Sequence, residues 1–455
     1  MSLLEPLFRW DVIEALFTDR AHLQGILDFE AALVRAEART KVIPKAAAPA
    51  IAGKCKADLF DSAAIAKATA LAGNPAIPLI KQLTSLVAKD DKDAARFVHW
   101  GATSQDAIDT GFVLQLRGGL AHIEAELERL GGALAQIVKK HRSTPIVGRT
   151  WLQQALPTTF GLKAAGWLDA VNRHRVRIAE ARRRAMVLQF GGAVGTLAAL
   201  GNRGADVAEA LGDELHLAVP DAPWHAHRDR VAEVATALGL FTGTLGKIAR
   251  DISLSMQTEV AEVHEPAGEN RGGSSTLPHK RNPVTSAVVL AAATRIPGLV
   301  SAMLSAMVQE QERGLGGWQA EWELMPEIIG LSGGALHHLT DTVAGLEIDT
   351  AKMAQNLDVT HGLIFAEAVQ MALAGEMGRS AAHDLVEAAT KRALAEKRHL
   401  REVLAEDAAV TKLLKKQELD RLFDPRQYLG VAETMIDRVL ATHSSRRLKA
   451  AGESE

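Results

Sequence analysis

Cysteine is almost absent from this sequence: Cys55 stands alone among 455 residues. A single thiol excludes an internal disulfide framework and fits a reducing compartment, so a cytoplasmic location is expected. Lys54 and Lys56 flank it, which favours a thiolate, but no histidine partner is evident and an inert thiol is expected. Aromatic residues are only 4%, with one tyrosine, Tyr428. That argues against an aromatic-rich β-sandwich and against a surface that stacks bases. A net charge of -3 gives no reason to expect nucleic acid or an anionic membrane as a partner. The opening "MSLLEPLFRWD" meets acidic residues too early for a secretion signal. The longest apolar runs, such as "AVVLAAA" at 287–293, are far shorter than the ~20 residues that span a bilayer.

What the chain does have is helical periodicity and enough apolar residues (47%) to bury several cores. Leu116, Leu120, Ile123, Leu127, Leu130, Leu134 and Ile137 alternate steps of four and three along one long helix. Phe241, Leu245, Ile248, Ile252, Met256, Val260 and Val263 form a second such stripe. A third long helix is expected from Pro157 to about Gln189, and a fourth from Pro283 to about Arg313, kinked at Pro297. Strand-like alternation is scarce. The expected class is mostly α: three helical domains at 1–106, 107–346 and 347–455, the middle one a long-helix bundle. The two stripes need more partners than one chain supplies, which points to a homotetramer. The basic run "RHRVRIAEARRRA" at 173–185 reads as a solvated or inter-subunit helix face, and "SSRRLKAAGESE" as a frayed tail.

Loops carry the chemistry. "GGSSTLPHKRNP" at 272–283 has two glycines, two serines, a lysine and an asparagine, and almost nothing to bury. Asn282-Pro283 reads as a helix start, with asparagine the N-cap and proline in the first turn. Lys280 and Asn282 then lie where backbone N–H groups and the helix dipole favour an anion. Capping alone explains Asn282-Pro283, but not Ser274, Ser275 or Lys280.

"GSSTLPHKRNP" resembles the GSSxMPxKxNP signature of the fumarase/aspartase superfamily, with Leu277 where methionine is usual. "HWGATSQDAIDT" at 99–110 and "GRTWLQQALPTTFG" at 148–161 resemble its two other conserved segments. "NLDVTHGLIFAEAV" at 356–369 is similar to the adenylosuccinate lyase branch, so the likeness covers essentially the whole chain. The resemblance implies a tetramer whose active sites are shared between subunits. It also implies proton transfer beside a carboxylate, through a carbanion held by fixed donors and a cation. By motif position it assigns Ser274 as the catalytic serine. Lys280 and Asn282 would bind substrate carboxylate, Thr103, Ser104, Thr150 and Gln153 would be hydroxyl and amide donors, and His99 a substrate-contacting histidine; Ser275, from its place in the loop, is a further substrate-binding candidate. No cofactor is implied.

The sequence departs from its relatives in one informative place. The second segment usually reads RTH, and that histidine helps protonate the leaving group; here it reads Arg149-Thr150-Trp151. Tryptophan cannot exchange a proton at neutral pH. A leaving amine or hydroxide needs that proton, whereas a carboxylate, with an unperturbed pKa of ~4, does not. The substitution points to a carboxylate that leaves or, in reverse, adds to a double bond. Trp151 then becomes an apolar wall of the substrate site. The lactone-forming branch of the superfamily, which serves bacterial aromatic breakdown, resembles this chain in its RTW segment and in "LFTDRAHLQGILDFEAALVRAEA" at 16–38. The expected substrate is a small di- or tricarboxylate. Carboxylate and sulfonate at its third position stay open.

Adenylosuccinate lyase, or another β-eliminating lyase, is the alternative activity. Its arginine- and serine-rich nucleotide stretch is replaced here by "ERGLGGWQAEWELMPE" at 312–327, with Gly316, Gly317 and Trp322 at the key positions. A catalytically dead scaffold would have no use for Ser274, Lys280 and Asn282. His225 and His227 form an H-x-H pair without a third ligand at useful spacing, so no metal is expected. Glu321 either pairs with a cation of the site or is a solvated helix residue, the second being slightly favoured.

Overall fold

The computed structural model describes residues 3–268, 272–273, 276–277 and 279–452. Its long elements follow the apolar stripes. Helices α1 (Asp19–Arg39), α2 (Ser104–Lys140), α3 (Phe160–Ala185), α4 (Gly204–Leu215), α5 (Asp229–Ser255), α6 (Val284–Ala306) and α7 (Gly317–Ala344) supply most of the ordered chain before residue 345. Beyond them, α8 (Ala366–Met377) and α9 (Arg379–Glu396) pack around Val369, Leu373, Val386, Leu400 and Leu404. The described strands form two short antiparallel pairs: β1 (Pro145–Thr150) with β2 (Gln153–Thr159), and β3 (Val263–His264) with β4 (Glu347–Ile348).

The chain divides into two compact units. One comprises Met1–Leu127, His174–Gly246 and Val288–His338; the other comprises Glu128–Arg173, Lys247–Ala287 and Leu339–Glu455. Each of α2, α3, α5, α6 and α7 therefore contributes residues to both. Within the first unit α1 crosses α2 closely. A Cβ on Gly25 would come within 2.8 Å of the Gly111 carbonyl, and one on Gly111 within 2.7 Å of the Gly25 backbone, so neither position accepts a side chain.

Several sequence expectations are corrected. The first stripe, Leu116 to Ile137, is buried along α2 within this one chain, because apolar neighbours already cover it. It does not call for a second copy. In the other stripe Phe241, Leu245, Ile248 and Ile252 are buried on α5, but the helix stops at Ser255. Met256 and Val260 lie beyond it, and Val263 belongs to β3. The third helix starts at Phe160 rather than Pro157 because the β1–β2 hairpin takes residues up to Thr159. The fourth ends at Ala306, short of Arg313, and holds Pro297 in its interior. Of the C-terminal residues expected to fray, those up to Gly452 continue a helix, α10 (Ala432–Gly452), and the rest lie outside the described residues.

Run length also underrated two helices. By length and composition α5 and α6 are each apolar enough to cross a membrane, because small polar residues interrupt the runs without lowering the average much. In α5 most of the apolar stretch is buried (61%); in α6 only 28% is.

Candidate functional site

In the first unit, His99, Thr103 and Ser104 share the junction between a tight loop and the start of α2. His99 has a left-handed backbone (φ 59°), as does Gly101 (φ 72°), where a Cβ would strike Leu200. The junction is organised by Asp106, wholly buried in the first turn of α2. Its carboxylate accepts the backbone N–H of Thr103 (3.0 Å), Gly191 (3.0 Å) and Gly192 (2.9 Å), and lies 2.7 Å from His225 Nε2. One carboxylate thus ties the Thr103–Ser104 turn to the chain at 191–192. His225 is buried on Asp106, whereas His227 is exposed, so the H-x-H pair is divided between two environments.

One turn along α2, Asp109 takes both terminal nitrogens of Arg228 (2.7 and 3.1 Å) and the indole N–H of Trp318 (2.9 Å). The other side of Arg228 donates to Glu321 (2.6 to 3.1 Å), and its guanidinium lies 4.7 Å from the Trp224 ring centre. Glu321 is 4% exposed, so its reading as a solvated residue is overturned. The reason is long-range: the guanidinium that neutralises it stands 93 residues away. Two carboxylates on one buried guanidinium are mutually dependent, and losing one member of such a group costs about 3–5 kcal/mol. Trp322 packs edge-on to Trp318 and lines a cavity of about 490 Å³ with Arg9, His22, Phe112 and Glu321.

In the second unit, Thr150, Trp151 and Gln153 form the tip of the β1–β2 hairpin. Thr150 pairs with Gln153 across a two-residue turn in which Trp151 (φ 52°) and Leu152 (φ 66°) are both left-handed. Such turns suit the twist of a hairpin but favour glycine or asparagine. The tip is also bare: Trp151 is 98% exposed and Leu152 76%. Among the described residues of its own chain Trp151 is thus left uncovered, and a wall built from it would face a site completed by another copy. Below the tip, Arg149 donates twice to the buried carboxylate of Glu262 (2.8 Å each), which also accepts from Asn356 (2.9 Å).

Lys280 and Asn282 line a pocket of about 180 Å³ with Met256, Glu265, Gly273 and Arg281. Ser274 and Ser275 lie outside the described residues. The Asn282 N–H donates to Gly272 O (2.8 Å) and its side-chain amide to Gly273 O (3.3 Å). It does not cap α6. That helix starts at Val284, and Glu265 caps it instead, accepting from the N–H groups of Thr285 (3.0 Å) and Ser286 (2.8 Å) and from the Ser286 hydroxyl (2.8 Å). The anion favoured at this helix end is thus one of the protein's own. Arg281 donates to Glu347 (2.8 and 2.9 Å) and to Glu265 O (2.5 Å). The Arg281 hydrogen bonds, with the Ala267 N–H, hold the Glu347 carboxyl down to about 2.

Sequence reasoning missed Asp106, Glu262 and Glu265. Thr103 followed three residues later by Asp106 was a legible helix-start signal. Nothing local marks the two glutamates.

A helical fold built from these segments defines a lyase of the fumarase/aspartase type. Residues 9–298 match the Lyase family model and residues 362–439 that of the adenylosuccinate lyase C-terminus, and the chain belongs to this family. It is 56% identical to the 3-carboxy-cis,cis-muconate cycloisomerase of Pseudomonas aeruginosa, over 97% of this chain and 96% of that one. It is 54% identical to the enzyme of the same name from Bradyrhizobium diazoefficiens, over 96% and 97%. The crystal structure of 3-carboxy-cis,cis-muconate lactonizing enzyme from Pseudomonas putida superposes with a TM-score of 0.94 at 51% identity, covering 97% of this chain and 99% of that one.

Proposed function

We propose that the chain lactonises 3-carboxy-cis,cis-muconate to a carboxymuconolactone, as a step of protocatechuate breakdown. The observation that carries this reading is Trp151 at the position where related lyases keep an acid, in a chain 56% identical to a cycloisomerase of that name. One substrate carboxylate oxygen bonds to an alkene carbon, and the carbanion formed beside another carboxylate takes a proton. No leaving group has to be protonated. Ser274 delivers that proton and removes it in the reverse direction. Lys280, Asn282 and Ser275 bind carboxylate; His99, Thr103, Ser104, Thr150 and Gln153 donate to the remaining oxygens; Trp151 excludes water.

The working form is a homotetramer in the cytoplasm, with sites shared between copies and with family-type domains at 1–106, 107–346 and 347–455. What supports assembly is the exposed apolar surface of α6 and the bare Trp151–Leu152 tip, not the stripes of α2 and α5. Purified protein given 3-carboxymuconate tests the activity. The diene ultraviolet absorbance should disappear with formation of the lactone. Adenylosuccinate cleavage, the alternative suggested by the C-terminal family match, should be absent. Fumarate release from adenylosuccinate without lactone formation would reverse the assignment.

A further inference from the structure

The buried face of α1 carries two carboxyl groups, Glu30 and Glu37, both fully inaccessible to solvent. Glu30 Oε1 lies 2.6 Å from His99 Nδ1. Glu30 Oε2 and both Glu37 carboxyl oxygens have no hydrogen-bond partner among the described residues. Charge buried in apolar surroundings persists only when it is paired, and the pair available to Glu30 is His99. Contact through Nδ1 leaves Nε2 as the other polar atom of a ring whose side chain is 17% exposed. If Nδ1–H donates to Glu30, a neutral ring presents Nε2 as a lone pair, which repels a carboxylate. A ring with both protons presents Nε2–H, which attracts one.

We propose that Glu30 is a positioning residue for substrate binding: it holds His99 by Nδ1 as an imidazolium whose Nε2–H receives a substrate carboxylate. The inference rests on the reading above that His99 meets the substrate. Three acidic groups face the ring or its partner. Burial opposes the positive charge of His99, but the Glu30 anion and hydrogen bond, with Asp106 of α2 adding to them, outweigh it and raise the pKa of the ring. Glu37, on the same helix as Glu30, is neutral at physiological pH, because burial, reinforced by Glu30, pushes its carboxyl up to about 9. Arg96, on the turn before His99, is exposed and paired with Asp93.

The test is the pH dependence of KM and kcat in Glu30→Gln and Glu30→Asp, with NMR titration of isotope-labelled histidine assigned by His99→Asn. Without the Glu30 anion, burial lowers the ring's pKa. At about pH 7.5, KM should rise roughly tenfold for each unit by which that pKa comes to lie below the assay pH, while kcat changes by less than about threefold. In Glu30→Gln/His99→Asn, KM should be no worse than in His99→Asn, because the two residues act as one. Glu37→Gln exchanges one neutral group for another and should leave the KM profile unchanged. An unshifted His99 titration in Glu30→Gln overturns the proposal. So does a Glu37→Gln shift as large as that of Glu30→Gln, which would assign the effect to packing along α1. If His99→Asn leaves KM unchanged while Glu30→Gln still moves the His99 titration, the substrate-contact reading fails and the Glu30–His99 coupling stands.

Discussion

Glu37 makes the chain's stability depend on pH in an unusual direction. Unfolded, its carboxyl ionises near an ordinary ~4.3; folded, burial keeps it protonated to about 9. The native state therefore binds more protons than the unfolded state between these values. Stability is full below the lower one and falls as pH rises, by up to about 1.4 kcal/mol per unit. Glu37→Gln removes this slope. Its thermal midpoint should match the parent near pH 4.5 and exceed it by a margin that widens toward about pH 9. A constant difference across that range would mean that Glu37 is ionised in the fold. Cys55 shows the same physics: burial, with Glu30 nearby, pushes its thiol up, which disfavours the thiolate. In the proposed mechanism the decisive residue is Ser274. Ser274→Ala should fold and assemble but lower turnover at least about a hundredfold, the low end for losing a positioned proton donor. Near-normal turnover in a well-folded variant would move the role elsewhere.

At the scale of elements, the hairpin joins backbone strain to exposed apolar surface. Left-handed backbone costs a non-glycine residue roughly 1–2 kcal/mol, and the tip spends it twice, on Trp151 and Leu152. Arg149, Glu262 and Asn356 anchor the strand beneath the tip. If Trp151 excludes water in a neighbouring copy's site, Trp151→His should slow lactonisation, and its pH–rate profile should gain no limb. A faster variant with a new limb near ~6.5 would refute the argument that no leaving-group acid is needed. The long helices were legible because their apolar spacing is local. The hairpin was not, because its turn lacks the glycine or asparagine that usually announces one. Glu321 and the α6 cap were missed for a shared reason: Arg228 and Glu265 reach their partners across 93 and about 20 residues, and spacing rules see only a few. The two carboxylates of α1 were visible in principle, since Glu30 and Glu37 fall on the same stripe as Leu23, Ile26 and Leu33.

At the scale of the molecule, α6 decides what the chain does next. Its apolar window is 28% buried, and such a helix needs a cover. Further copies of the chain supply one if the assembly is that of the family. Light scattering at micromolar concentration should give four times the 48.7 kDa chain mass. Leu304→Glu, which places a charge on an exposed apolar position of α6, should lower that mass and turnover together. A monomeric parent with full activity would sink the shared-site reading. The division of the long helices bears on the gene as well as on the protein. Because α2, α3, α5, α6 and α7 each contribute to both compact units, the borders at Leu127, Arg173, Gly246, Ala287 and His338 all fall inside helices. Neither unit corresponds to a continuous coding segment, so neither could be inherited, duplicated or exchanged as a cassette. Recombination between diverged relatives should yield folded chimaeras when crossovers fall in the loops between helices, and broken ones at the borders of the units.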